Sequence, residues 1–251
     1  MKTFETSWKS SDGTDLYARG CEPDGAPRAV VCLVHGLGEH VARYENVATA
    51  LTAEGFVLFG FDQRGHGRSG GPRGHVPSYD QMMDDIALLL EQTAARYPGL
   101  PMFLYGHSMG GNEVLNFSLR RKPELKGVIA TGPFLRLAFQ PPAAQVTLAR
   151  MMNGLFPSFT QKSGLELAAL SRDQKVVDAY VADPLVHNKI TARLFVELFD
   201  SGEWALNRAG EFTLPLLLMH GSADRLTSSN ATREFARNGG KNISLHIWDG
   251  W

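Results

Sequence analysis

The chain has 251 residues, 43% of them hydrophobic and 20% charged, enough to bury a substantial core and the balance of a soluble globular protein rather than a disordered or fibrous one. Lys and Arg total 25 against 26 Asp and Glu, so no broad field favours nucleic acid or acidic lipid, and nucleic-acid binding is set aside. No apolar signal core opens the sequence and no later run approaches membrane-spanning length, so a cytoplasmic address is expected by default.

In chain order, residues 14–21 (TDLYARGC) and 29–36 (AVVCLVHG) read as strands, and residues 44–55 carry apolar groups at helical spacing that stop at Gly55. FVLFGFD, 56–62, is a short, nearly unbroken apolar run, as expected of a strand covered on both faces of a parallel sheet. Residues 78–99 open with a serine cap at Ser78, space Met82, Ile86, Leu89 and Leu90 along one helical face, and end at Pro98 and Gly99. PMFLYG, a helix from Met109 to about Arg121, LKGVIATGP, LPLLLMHGSAD, a helical stretch and ISLHIWDG complete the series. This alternation predicts an α/β fold, a mostly parallel central sheet flanked by helices. Residues 134–205 break the rhythm with two apolar, helical stretches, which predicts a core of 1–133 and 206–251 with a helical cap at 134–205 over the carboxyl edge of the sheet.

GHSMG, 106–110, fits GxSxG between a strand and a helix, the context in which that pattern marks a nucleophile, here Ser108. Small residues at Gly106 and Gly110 permit a strained reversal that exposes the hydroxyl, and the amides opening the next helix point where an oxyanion would form. Serine is a poor nucleophile alone; it needs a base and a carboxylate that orients the base. In this arrangement the acid follows a late strand, which selects Asp224 after LPLLLMHG. A second oxyanion donor is expected from the loop HGLGEH, 35–40, where the Leu37 N–H would stand beside that of Met109. That loop matches no zinc spacing and lacks the lysine of a phosphate loop, so no metal or organic cofactor is expected. In FDQRGHGRSGGP, 61–72, the residues Asp62, Arg64, His66 and Ser69 are expected to satisfy one another and the loop backbone, holding the oxyanion loop in place. Cys21 and Cys32 lie in strand-like segments and are expected to be buried and inert.

HGLGEHVARY, FDQRGHGRSGG, YPGLPMFLYGHSMGG, YVADPLV and HGSADRL together resemble the α/β-hydrolase superfamily and, within it, the monoacylglycerol lipases, from about residue 28 onward. The resemblance implies hydrolysis of long-chain monoacylglycerols to fatty acid and glycerol, with a mobile cap forming the acyl tunnel. It implies the same roles for Ser108, Asp224, Leu37 and Met109. Phe139, Val146, Leu148, Met152, Leu155 and Phe156 in the cap are candidates for the acyl wall, and the same apolar face is a candidate for transient contact with lipid.

The resemblance also requires a histidine just after the last strand, and the sequence ends at LHIWDGW, 245–251. His107, His220 and His246 each fall in a strand and are read as structural, so the triad histidine is expected just beyond Trp251, with the 251 residues part of a longer natural chain. Two other readings stand beside the lipase: a general carboxylesterase or lysophospholipase, and a non-catalytic ligand-binding protein of the same fold.

Overall fold

A computed structural model describes residues 1–251, with ten strands and seven α-helices. β1 (Lys2–Lys9) and β2 (Asp15–Glu22) form an antiparallel hairpin, and β2 pairs antiparallel with β4 (Phe56–Phe61). β4, β3 (Ala29–Val34), β5 (Met102–His107), β6 (Gly127–Thr131), β9 (Leu216–Gly221) and β10 (Ile243–Trp248) then run parallel, completing the order β1-β2-β4-β3-β5-β6-β9-β10. All six residues of β3 are buried, as an unbroken apolar strand in the middle of a parallel sheet requires.

β1 was not legible as a strand. Only Phe4 and Trp8 of its eight residues turn partly inward, where both rings pack on Phe59 at 5.3 and 5.9 Å between centroids. An edge strand with one anchor per four residues leaves almost no periodic signal.

α1 (Glu45–Ala53) follows β3, and α2 (Tyr79–Arg96) follows β4 with the Ser78 hydroxyl accepting from the Gln81 N–H at 3.2 Å. α3 (Met109–Arg121) follows β5 without a gap for a turn, so Ser108 alone makes the strand-to-helix corner.

Residues 134–205 add no strand to the large sheet. They form α4 (Ala143–Leu155), a two-stranded β7 (Thr160–Lys162) and β8 (Lys189–Thr191), α5 (Gln174–Ala182) and α6 (Ala192–Leu206). α4 has no buried residue, whereas α6 buries Leu194, Leu198 and Leu206 in the main core. Buried polar groups staple α6 to α3: Asn116 Nδ2 donates to the Ser201 carbonyl at 3.1 Å, and the Ser201 hydroxyl donates to Asn112 Oδ1 at 3.0 Å. The helix behind the serine corner is thus braced from both sides, because Asn112 Oδ1 also accepts from the Tyr79 hydroxyl of α2 at 2.7 Å.

Register brings the functional segments to one edge. Gly106 pairs with Val34 on one side and Ala130 on the other, and Thr131 pairs with Met219, so β3, β5, β6 and β9 end together. Their following loops carry Leu37, Ser108, Gly132 and Asp224, which is where open α/β sheets place their sites.

Candidate active site

Ser108 has φ 54° and ψ −111°, one of only two non-glycine residues with positive φ. A β-carbon at such φ costs roughly 1–3 kcal/mol, tolerated where the surroundings dictate the conformation. They do so here by close approach: a Cβ on Gly106 would strike the Gly110 carbonyl, and one on Gly110 would strike the Val34 carbonyl. The corner is pinned by the Ser108 N–H donating to the Thr131 carbonyl at 2.9 Å, and by the Ser108 carbonyl accepting from the amides of Asn112 at 3.0 Å and Phe134 at 2.9 Å. Its hydroxyl caps nothing in α3 and faces a cavity.

Met109 is the first residue of α3, so its N–H has no partner inside the helix and stands at the positive end of the helix dipole. The HGLGEH loop packs directly on this corner; a Cβ on Gly36 would lie 3.4 Å from Ser108 Cβ. The Leu37 N–H donates to no backbone carbonyl. Glu39 sets the loop: its Oε1 accepts from the Gly36 N–H and from the Tyr44 hydroxyl, each at 2.7 Å. Glu39 has no signature of its own within HGLGEH; its acceptor role depends on Tyr44, five residues on, folding back over the loop.

The glycine-rich turn 61–72 supports this loop with two corrections, the first that His66 bonds the Arg64 carbonyl through Nδ1 at 3.0 Å while its buried Nε2 has no hydrogen-bond partner. Asp62 accepts from the Val41 and Arg68 amides at 2.8 and 2.7 Å, and Gln63 Nε2 donates to the His35 carbonyl at 2.7 Å. Arg64, however, leaves the turn. It forms a buried ion pair with Asp85 of α2 at 2.6 Å and reaches Asp12 at 2.8 Å, because the turn's one carboxylate, Asp62, is taken up by the Val41 and Arg68 amides.

Asp224 lies in the same cavity wall as Ser108. Its Oδ1 accepts from the Leu226 N–H at 2.7 Å and the Thr227 N–H at 3.0 Å, and its Oδ2 from the Thr227 hydroxyl at 2.9 Å. Burial works against the charge, but the contacts from His220, the two amides and the Thr227 hydroxyl prevail and hold the carboxyl down at about 2. Asp224 is therefore a fixed anion at neutral pH, suited to orient an imidazole.

The three histidines read as structural have these places. His220 is fully buried behind Asp224, its Nδ1 2.7 Å from Thr232 Oγ1 and its Nε2 3.3 Å from Asp224 Oδ2. His107 Nδ1 is 2.9 Å from Thr131 Oγ1, and His246 stacks edge-on to Trp248. The Trp251 carbonyl accepts from the Ala223 N–H at 2.6 Å, one residue from Asp224.

The cavity holds about 800 Å³, and 19 of its 33 lining residues are hydrophobic, which favours an aliphatic chain over a polar ligand. Phe139, Leu148 and Met152 of the expected acyl wall line it; Val146, Leu155 and Phe156 do not. Gln145, Leu148, Ala149 and Met152 form the inward face of α4, while Leu155 and Phe156 come where the helix ends. Phe134, Phe159, Tyr180, Phe195 and Leu198 also line the cavity and were missed, since only folding gathers them. Cys21 and Cys32 are free and buried, and no helix is long and apolar enough to cross a membrane.

Residues 25–251 match the model of the serine aminopeptidase S33 family. A monoacylglycerol lipase of Mycolicibacterium smegmatis is 36% identical over 248 residues, covering 98% of this chain and 88% of that protein. An uncharacterized abhydrolase domain-containing protein of Dictyostelium discoideum is 36% identical over 94% of this chain, which spans only 25% of that longer protein. Among solved structures, the monoacylglycerol lipase of Paleococcus ferrophilus superposes with a TM-score of 0.84 at 31% identity, covering 100% of this chain and 90% of that one.

Proposed function

The chain belongs to the serine aminopeptidase S33 family, and we propose that within it this protein is a monoacylglycerol lipase, an ester hydrolase that releases fatty acid and glycerol through an acyl-enzyme. The observation that carries this reading is Ser108 on its strained corner at the wall of a large, mainly apolar cavity. Two lipase relatives of similar length support it.

In the proposed cycle Ser108 Oγ attacks the ester carbonyl, and the oxyanion forms against the N–H groups of Leu37 and Met109. An imidazole held by Asp224 takes the hydroxyl proton and returns it to the departing glycerol; water then releases the acyl group by the same route. That imidazole would meet Asp224 from the cavity side, because His220 stands behind the acid. The acyl chain lies under the cap, residues 134–205, against Phe139, Leu148 and Met152, and the outward-facing Leu155 and Phe156 meet the lipid from which substrate comes.

An aminopeptidase would need a free carboxylate for the substrate ammonium. The acids of the cavity are Glu39 and Asp224, and both are engaged by protein donors. The test compares kcat/KM for a long-chain monoacylglycerol, a short-chain aryl ester and an amino-acid arylamide. The long-chain ester is expected to lead the short one by about tenfold or more, given ~0.8 kcal/mol per buried methylene, with no detectable arylamide cleavage. A short aryl ester preferred over the lipid would make the protein a general carboxylesterase.

A further inference from the structure

His187, in the stretch between α5 and β8, reaches across to both loops beneath the serine corner. Its backbone N–H donates to the Gly38 carbonyl at 2.9 Å, next to Leu37. Its ring Nε2 lies 2.9 Å from the Gly65 carbonyl, and its Nδ1 lies 3.2 Å from the Lys189 N–H. The approach is close enough that a Cβ on Gly38 would strike the His187 carbonyl. The ring also lies 4.6 Å from that of His66, which in turn lies 5.4 Å from that of His35, so three imidazoles fill the seam.

Hydrogen-bond polarity fixes the protonation of two of them. A backbone N–H only donates and a carbonyl only accepts. His187 therefore carries its proton on Nε2, toward Gly65, and accepts from Lys189 at Nδ1. His35 is the reverse: Nδ1 donates to the Gly36 carbonyl at 2.8 Å and Nε2 accepts from the Gln63 N–H at 2.9 Å. A second proton on either ring would set N–H against N–H.

The surroundings agree. Burial pulls His35 and, more strongly, His66 below the usual imidazole range, and it takes His187 down to about 4 against the help of the Gly65 carbonyl. Arg73 opposes charge on His66 and His187, Lys189 opposes it on His187, and His40 opposes it on His35; Asp62 and Glu39 favour charge on His35.

We propose that His187, as a neutral imidazole, is a positioning residue for the oxyanion loop, clamping Gly38 and Gly65 from the inserted stretch so that the Leu37 N–H stays aimed at the serine corner. The proposal rests on the reading of Ser108 and Leu37 given above. It predicts a defect in turnover, not in substrate affinity, because the residue meets the loop and does not line the cavity.

The test uses the full protein with His187→Leu and His187→Gln. With a short-acyl aryl ester, His187→Leu is expected to lower kcat about tenfold with KM within twofold, since small misplacements of catalytic groups cost up to about a hundredfold. Gln supplies an amide donor for Gly65 and an acceptor for Lys189, and is expected to restore kcat to within about threefold. An unchanged kcat for His187→Leu, or a rise in KM confined to long-chain substrates, would overturn the proposal.

Amide exchange reads the clamp without any turnover, and so separates failure of the clamp from failure of the nucleophile assignment. In the wild type the Lys189 N–H is expected to be protected at neutral pH and to lose protection as pH falls through about 4, while β3 stays protected; in His187→Gln that loss is absent. A Lys189 N–H that exchanges in the wild type at neutral pH as freely as an unstructured amide would overturn the clamp even if His187→Leu fails to fold.

Discussion

Replacing Ser108 with alanine is expected to lower ester hydrolysis by at least about 10⁴-fold, the scale seen when the nucleophile of a triad is removed and only binding and oxyanion contacts remain. Folding should be nearly untouched, because the hydroxyl caps nothing in α3 and the corner is held by backbone bonds to Thr131, Asn112 and Phe134. Alanine keeps the β-carbon at φ 54° and so keeps the strain. Ser108→Gly should be equally inactive yet more stable than Ser108→Ala by about 1 kcal/mol, since glycine adopts positive φ freely. Thermal unfolding of the two variants beside the wild type checks both halves. An alanine variant that unfolds far earlier would mean that its lost activity says nothing about chemistry.

Asp224→Asn is the second large effect. The substitution is close to isosteric and can still accept from the Leu226 and Thr227 amides, so the loop should persist while the charge is lost. Without the carboxylate the histidine it would orient takes the wrong tautomer, and kcat should fall by about 10⁴-fold. A fall below tenfold would remove Asp224 from the proposed triad.

The same residue leaves a mark on stability. Its carboxyl is depressed from 3.8 to about 2 in the folded protein, so its contribution is fully present above pH 3.8 and is lost as pH falls through about 2. The shift corresponds to about 2 kcal/mol. Acid titration of unfolding should show a shallower loss across that window in Asp224→Asn than in the wild type.

The fold was legible where sequence and burial obey one rule. β3 and β4 are short apolar runs because both faces are covered, and α2 announces itself by Ser78 and by the spacing of Met82, Ile86 and Leu89. The serine corner was legible because Gly106 and Gly110 answer local steric demands that only glycine meets. β1 was not, since two half-buried aromatics in eight residues carry no period. β7 and β8, three residues each, fall below the length at which alternation can be read.

Long-range pairing explains the other differences. Arg64 looked like part of its own turn, and its partners Asp85 and Asp12 come from α2 and the β1–β2 hairpin. Apolar residues of α4 could be nominated as an acyl wall, but which of them face inward depends on where the helix ends over the cavity; Val146, Leu155 and Phe156 fall outside it. His187 gave no signal either. Its significance lies in meeting Gly38 and Gly65, each more than a hundred residues earlier in the chain.

The central claim is that Ser108 forms the covalent intermediate. Brief treatment of the active protein with a fluorophosphonate, followed by fragmentation mass spectrometry, tests it most directly. One adduct per molecule, on Ser108 and rising in step with loss of ester hydrolysis, is the predicted result; an adduct on another residue, or full inactivation with Ser108 unmodified, would contradict it.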